Sequence, residues 1–70
     1  MRSLRLYIDA PFVGIDDRIP LEPHQIHYLL NVMRVSQGNT FRVFNGKNGE
    51  WKAEINYLSK KKADVILKEC

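Results

Sequence analysis

Cysteine is almost missing from this 70-residue chain: the only one, Cys70, is the last residue. No intrachain disulfide can form, and no paired Cys/His spacing is present to hold zinc. The expected setting is a reducing cytoplasm. No apolar run approaches transmembrane length, and Met1-Arg2-Ser3-Leu4 leads into alternating residues rather than a signal-peptide core. A soluble, cytoplasmic chain with no membrane partner is therefore expected. Charge of one sign is also scarce. The 11 Lys and Arg against 8 Asp and Glu leave a net charge of +3, a mild excess that many proteins without a nucleic-acid partner share. The 44% hydrophobic and 27% charged content is that of a folded chain. Seventy residues suffice for one small domain, 1–70, with one core. Carboxylate pairs, nucleophile–base sets and metal clusters do not stand out, so no catalytic residue, metal or cofactor is expected of this chain itself.

What is there is alternation. Leu4, Leu6 and Ile8 alternate with Arg5, Tyr7 and Asp9, a strand with one buried face that Pro11 ends. Residues 12–21 read as a loop laying Phe12, Val13, Ile19 and Leu21 on the core. Pro23 suits the first turn of a helix running to Met33 or Arg34, with Arg34 in the last turn against the negative end of the dipole. Ser36-Gln37-Gly38-Asn39 is a turn. Thr40–Phe44 is a second strand, closed by the hairpin loop Asn45-Gly46-Lys47-Asn48-Gly49. That loop lacks the GxxxxGK[ST] order and following helix of a phosphate cradle. Glu50–Leu58 is the clearest strand, with Trp51, Ala53, Ile55 and Tyr57 on one face. A basic turn, Lys60-Lys61-Lys62, leads to a last strand in which Ala63, Val65 and Leu67 face one way.

Four strands and one helix give a mainly β fold. A flat four-stranded sheet would leave one face and both edges wet, and Tyr7, Phe44 and Ile66 sit on the outward side, so a small β-barrel with the helix plugging or flanking it is expected.

Two stripes share the helix. Ile26, Leu29, Leu30 and Met33 follow the spacing of a buried face, while His27, Asn31 and Arg34 fall at i, i+4, i+7 beside it. Arg34 can fork onto a phosphate, Asn31 can bond a base edge or sugar, and His27 can stack or bond phosphate. The plainer alternative is a solvated helix face with Arg34 over the last carbonyls. His24, in the first turn, has a weaker claim. Arg2, Arg5 and Tyr7 offer guanidinium groups beside an aromatic ring, a backbone-and-base contact or simply a cross-strand pair. Trp51, in phase with Ala53 and Ile55, belongs to the core. The lysine tip could add sequence-blind phosphate attraction or merely keep a strand end soluble.

The ordered set Arg2, Arg5, Tyr7, His27 through Val35, Gly38, Phe44-Asn45-Gly46, Gly49 and Ala53-Glu54-Ile55 resembles the N-terminal domain of the bacterial small-subunit ribosomal RNA methyltransferases that modify N3 of a uridine. The family more often has Leu at Met33 and Asp at Asn39 and Asn45, departures expected to leave the helix and turns intact. The resemblance implies a PUA-like β-barrel that holds ribosomal RNA through Arg2, Arg5, Tyr7, His27, Asn31 and Arg34. It also implies a C-terminal SPOUT methyltransferase domain, absent from this chain, that binds S-adenosylmethionine, dimerises and carries out the transfer. On this view the chain is an N-terminal fragment, inactive alone, of a homodimeric enzyme. The rival is a protein-contact module that packs on the methyltransferase domain or dimer partner without RNA affinity of its own.

Overall fold

The computed structural model describes residues 4–70, so Arg2 lies outside the described residues. The alternating segments form strands β1 (Arg5–Tyr7), β3 (Thr40–Phe44), β4 (Glu50–Tyr57) and β5 (Ala63–Glu69). A further strand, β2 (Arg18–Pro20), falls in the stretch expected to be a loop. All five make one sheet in the order β1-β3-β4-β5-β2. β1 runs parallel to β3 and the remaining pairs are antiparallel. β2 is legible only in three dimensions: Pro20 ends it, and Ile19 alone of its three residues is buried. Its strand character comes from the ladder it makes with β5, Arg18 opposite Ile66 and Ile19 opposite Val65. A three-residue strand with proline at its end suits a sheet edge.

The two edges, β1 and β2, do not pair with each other; the helix joins them. Helix α1 (Pro23–His27) starts just after β2, where Leu21 N–H donates to Ala63 O at 3.0 Å. Pro23 occupies its first turn, and the Gln25 carboxamide accepts from Glu22 N–H at 2.7 Å. The same buried carboxamide donates 3.1 Å to the Tyr7 carbonyl at the end of β1. The expected barrel with a flanking helix is thus a curled sheet whose open seam the helix covers.

One core fills the concave side: Ile8, Phe12, Ile19, Ile26, Leu29, Phe41, Val43, Ala53, Ile55, Val65 and Leu67 are buried. The inward residues of β4 and β5 are those the alternation selects, and Trp51, Tyr57 and Leu6 pack on their margin. Val13 departs from expectation at 84% exposure. The chain turns back on itself there, with Asp17 N–H bonded to Gly14 O at 3.1 Å and Asp16 taking a left-handed φ of 71°. That turn faces Val13 to water.

The helical run ends at Val32 with Met33 as its cap, about where the spacing places it, but its second half is wider than the periodicity predicts. After His27 it opens into a π-type turn, Tyr28–Val32, in which Met33 N–H reaches the Tyr28 carbonyl five residues back at 2.9 Å. The extra residue rotates the end of the apolar stripe off the core. Leu29 is fully buried, Leu30 is only half-buried, and Met33 is 37% exposed. Leu29→Ala should therefore cost about 2–5 kcal/mol and Leu30→Ala distinctly less. Thermal melts of the two variants read the order, and a reversed order would mean that the helix seats on another face.

Candidate nucleic-acid interface

Arg34 is not in the last turn of the helix. It follows the wide turn with a left-handed φ of 53°, a conformation that costs a residue bearing Cβ about 1–2 kcal/mol and that glycine takes freely. The strain persists because the chain is pinned on both sides. Val35 N–H donates to the Leu29 carbonyl, six residues back, at 2.8 Å, and Val35 O accepts from the Tyr57 hydroxyl at 2.6 Å. Gln37 then clamps β4, accepting from Tyr57 N–H at 2.6 Å and donating to Asn56 at 2.8 Å. Gly38, at φ 83°, donates to Ile55 O at 3.1 Å. The exposed guanidinium thus stands on a fixed base where a cation placed by charge alone would have used a relaxed backbone.

The stripe on the helix is brought together in part. His27 Nδ1 and the Asn31 amide lie 3.0 Å apart, leaving Nε2 as the ring nitrogen free to meet a ligand. Asn31 and Arg34 line one shallow depression with Ser36, Gln37 and Tyr57. His27 lies instead on the other flank, in a depression with Tyr7, His24 and Tyr28.

The larger concavity is an open groove of about 780 Å³ between the helix end and the starts of β3 and β1. Arg34, Arg42 and Lys52 line it with a single carboxylate, Glu69, and Leu4, Met33 and Phe41 supply its apolar wall. Among the described residues neither Arg34 nor Lys52 has a carboxylate within ion-pair distance, and Arg42 has only a 3.7 Å contact with Glu50. Arg42 and Lys52 went unseen in the sequence. They are isolated basic residues on separate strands, and only the register sets them side by side: Arg5 opposite Arg42, and Arg42 opposite Lys52.

Arg5 and Tyr7 share the outward face as expected, yet Arg5 is already engaged. Its Nε and Nη2 both donate to Glu50 Oε1, at 3.0 and 2.7 Å, and its guanidinium lies 4.7 Å over the Phe44 ring. Tyr7 meets Phe44 edge-on at 5.6 Å and stays 52% exposed. The Lys60–Lys62 tip is a solvated turn whose N–H groups at Lys61 and Lys62 bond Ser59 Oγ. The Asn45 loop is bound inward rather than outward. Its buried amide donates 2.8 Å to Ala10 O and to Asn48 Oδ1, while its oxygen accepts from Lys47 and Asn48 N–H. With Asn at this position the turn is fully bonded, and the two donated bonds are ones that an Asp carboxylate would not make.

A curled five-stranded sheet, a single helix over its seam and a cationic groove at the rim define a PUA-like domain. Residues 21–68 match the RNA methyltransferase PUA domain, and the chain belongs to that family. It is 36% identical over 70 residues to the ribosomal RNA small subunit methyltransferase E of Rickettsia conorii, covering 99% of this chain and 28% of that protein. A Synechocystis protein of the same name is 35% identical over 57 residues, 81% of this chain and 19% of that one. Among solved structures, a Legionella pneumophila protein described as a methyltransferase, with SAM bound, superposes with a TM-score of 0.83 at 28% identity, covering 99% of this chain and 28% of that one. The chain thus spans less than a third of the length of these relatives.

Burial raises the Tyr57 hydroxyl above the usual tyrosine pKa. Its contribution is complete below the unfolded value of about 10 and fades as pH rises through the higher folded value, since the unfolded chain releases the proton first. Tyr57→Phe should lose about 1 kcal/mol near neutrality. The gap between variant and parent should narrow in melts above about pH 10; a constant gap would mean that folding does not hold the hydroxyl proton more tightly, and no gap at neutrality would mean that the hydroxyl contributes nothing to the Val35 anchor.

Proposed function

We propose that this chain is the RNA-binding domain of a ribosomal RNA methyltransferase acting on the small subunit, and that it orients RNA for a transfer made elsewhere in the protein. The observation that carries this is Arg34: an exposed cation held in a strained backbone by Val35, Tyr57 and Gln37, beside Asn31 and at the edge of a groove with two further cations. Strain kept in place by surrounding bonds is characteristic of sites that use it. Family membership supports the same reading, as do relatives named for small-subunit rRNA methylation.

The finer reaction we propose, from the resemblance, is attack by uridine N3 on the methyl of S-adenosylmethionine. It would occur in a dimeric SPOUT domain within the part of the relatives that this chain does not span, in a cytoplasmic enzyme. The domain proposed for residues 1–70 contributes position, which can supply a large share of a barrier when reacting atoms must be aligned. Its own residues do not suit the cofactor. The groove sets Arg34, Arg42 and Lys52 around an open space, an arrangement that repels a sulfonium cation. Calorimetry of this chain with S-adenosylmethionine should show no saturable heat; a clear isotherm below about 1 mM would refute that.

The RNA reading is tested by titrating the chain with small-subunit rRNA fragments at low salt. Arg34→Gly relieves the left-handed strain, so the variant should fold as stably as the parent or up to about 1 kcal/mol more stably. It should nevertheless bind less tightly, with a salt slope shallower by up to about one unit. His27→Ala and Asn31→Ala should alter preference among RNAs more than the slope. If the parent binds no RNA even at low salt, the protein-contact module is the better account. One observation favours that second reading: Tyr7, Tyr28 and Val32 are exposed around one depression, at 52%, 38% and 59%. Phe44 and Ile66, on the outward side with Tyr7, are half-buried and add little to that patch.

A further inference from the structure

We propose that the outward face of β1, β3 and β4 is a site for single-stranded RNA, with Arg42 and Lys52 on consecutive phosphates and Tyr7 stacked on an unpaired base. The inference rests on the RNA-binding reading above and gives it a place and a substrate class. Two rows cross the three strands on this face. Arg5, Arg42 and Lys52 stand opposite one another in one row, and Tyr7, Phe44 and Glu50 in the next. The rows lie two residues apart along each strand, about 6.6 Å, and neighbours within a row are about 4.8 Å apart. Like charges directly opposite one another weaken a sheet, so a row of three cations has a cost that nothing in the core requires. Glu50 offsets the charge on Arg5 with a short two-pronged contact and reaches Arg42 only at 3.7 Å; it does not pair with Lys52. Charge therefore remains at the Lys52 end, where the row opens into the groove that also holds Arg34.

The second row explains why the strand must be single. Arg5 lies over the Phe44 ring, so that aromatic face is taken; Tyr7 abuts Phe44 edge-on and keeps half its surface in water. An aromatic ring held edge-on by a neighbour and half exposed to water is a platform for a base with a free face. Paired bases in an A-form duplex offer no such face, and side chains cannot enter its deep, narrow major groove. Arg5 is then a positioning residue, fixing Phe44 and through it Tyr7, while Arg42 and Lys52 meet the backbone.

The test is a fluorescence titration of this chain with a single-stranded RNA carrying 2-aminopurine and with the matching duplex. Four proteins are compared at several salt concentrations: the parent, Arg42→Gln/Lys52→Gln, Tyr7→Leu, and Lys60→Gln/Lys61→Gln/Lys62→Gln. The substituted side chains are exposed, and melting curves establish that each variant is folded. Single strands should bind at least about tenfold tighter than duplex and quench the fluorophore. The paired Arg42/Lys52 replacement should flatten the salt slope by about 0.7 per lost phosphate contact. Tyr7→Leu should abolish the quenching and weaken binding about fivefold or more. The lysine-tip variant should retain quenching and lose less affinity than the Arg42/Lys52 pair. Equal affinity for duplex, an unchanged slope in the Arg42/Lys52 variant, or quenching that survives Tyr7→Leu would each overturn the proposed site, while RNA binding by the parent would leave the broader function standing. Failure of the parent to bind either RNA would remove both.

Discussion

The register of β4 governs both the inside and the outside of this domain. β4 is laddered along most of its length to β3 on one side and β5 on the other, with Ala53 and Ile55 turned inward at no exposure. A slip of one residue would turn these two out and bring Lys52, Glu54 and Asn56 into the core, which burial of charge forbids. The hydrophobic alternation therefore dictates that Lys52 faces Arg42 and that Arg42 faces Arg5. The alignment of these three outward positions is a consequence of the core, whereas their occupation by three cations is not. A single acid, Glu50, bonds one member firmly and another loosely. The bulge at Lys52/Ala53 sets Lys52 opposite Glu69 rather than the residue that a regular ladder would supply.

The helix meets a different constraint. A helix that begins after β2 must both cover the seam beside β1 and deliver the chain to β3. Gln25 serves the first need with its bond to Tyr7 O. The wide turn serves the second: it seats Leu29 fully and lets Val35 close back on the Leu29 carbonyl, at the cost of turning Met33 and part of Leu30 away from the core. Arg34 takes the left-handed position that ends the helix because Val35 must reverse direction there. Packing and site share the same stretch of backbone, so Arg34 projects from a segment anchored to the core beneath it.

Much of this was legible in the sequence because it depends on local periodicity. The inward phases of β1, β4 and β5, the position of β3, the start at Pro23, the turn at Gly38 and the burial of Ile26 and Leu29 all follow from spacing. What escaped depends on pairing across the chain. β2 has one inward residue and exists because β5 offers it an edge; Val13 looks like core until the turn at Gly14–Asp17 faces it outward. The π-type turn adds one residue to a helical cycle, which no 3.6-residue template registers. His27 and Asn31 were placed together correctly by their spacing, whereas Arg42 and Lys52, ten residues apart in sequence and adjacent in space, carried no local signal. Arg5 was found but its partner was not, since Glu50 lies 45 residues away.

A net charge of +3 explains how such a domain would work on the proposed reading. Spread over the whole surface, it would give little attraction at physiological salt, where exposed charges are screened beyond about 8 Å. The described cations are not spread. Glu54 pairs with Lys68 and Asp64 with Arg18 on the side of β4 that faces β5 and β2, while Arg34 and Lys52 have no ion-pair carboxylate among the described residues. Local concentration of charge, rather than its total, then sets where a polyanion settles and in which direction it lies. A contact of that kind holds RNA loosely and orients it well. Coupled to a second binding module in one protein, even a weak contact raises the effective concentration of the correctly placed nucleotide, and geometry decides whether the two can engage together. The anchored backbone at Arg34 and the contact of Tyr7 with Phe44 matter for that reason: a positioning surface that relaxes under its ligand loses the alignment on which its contribution rests.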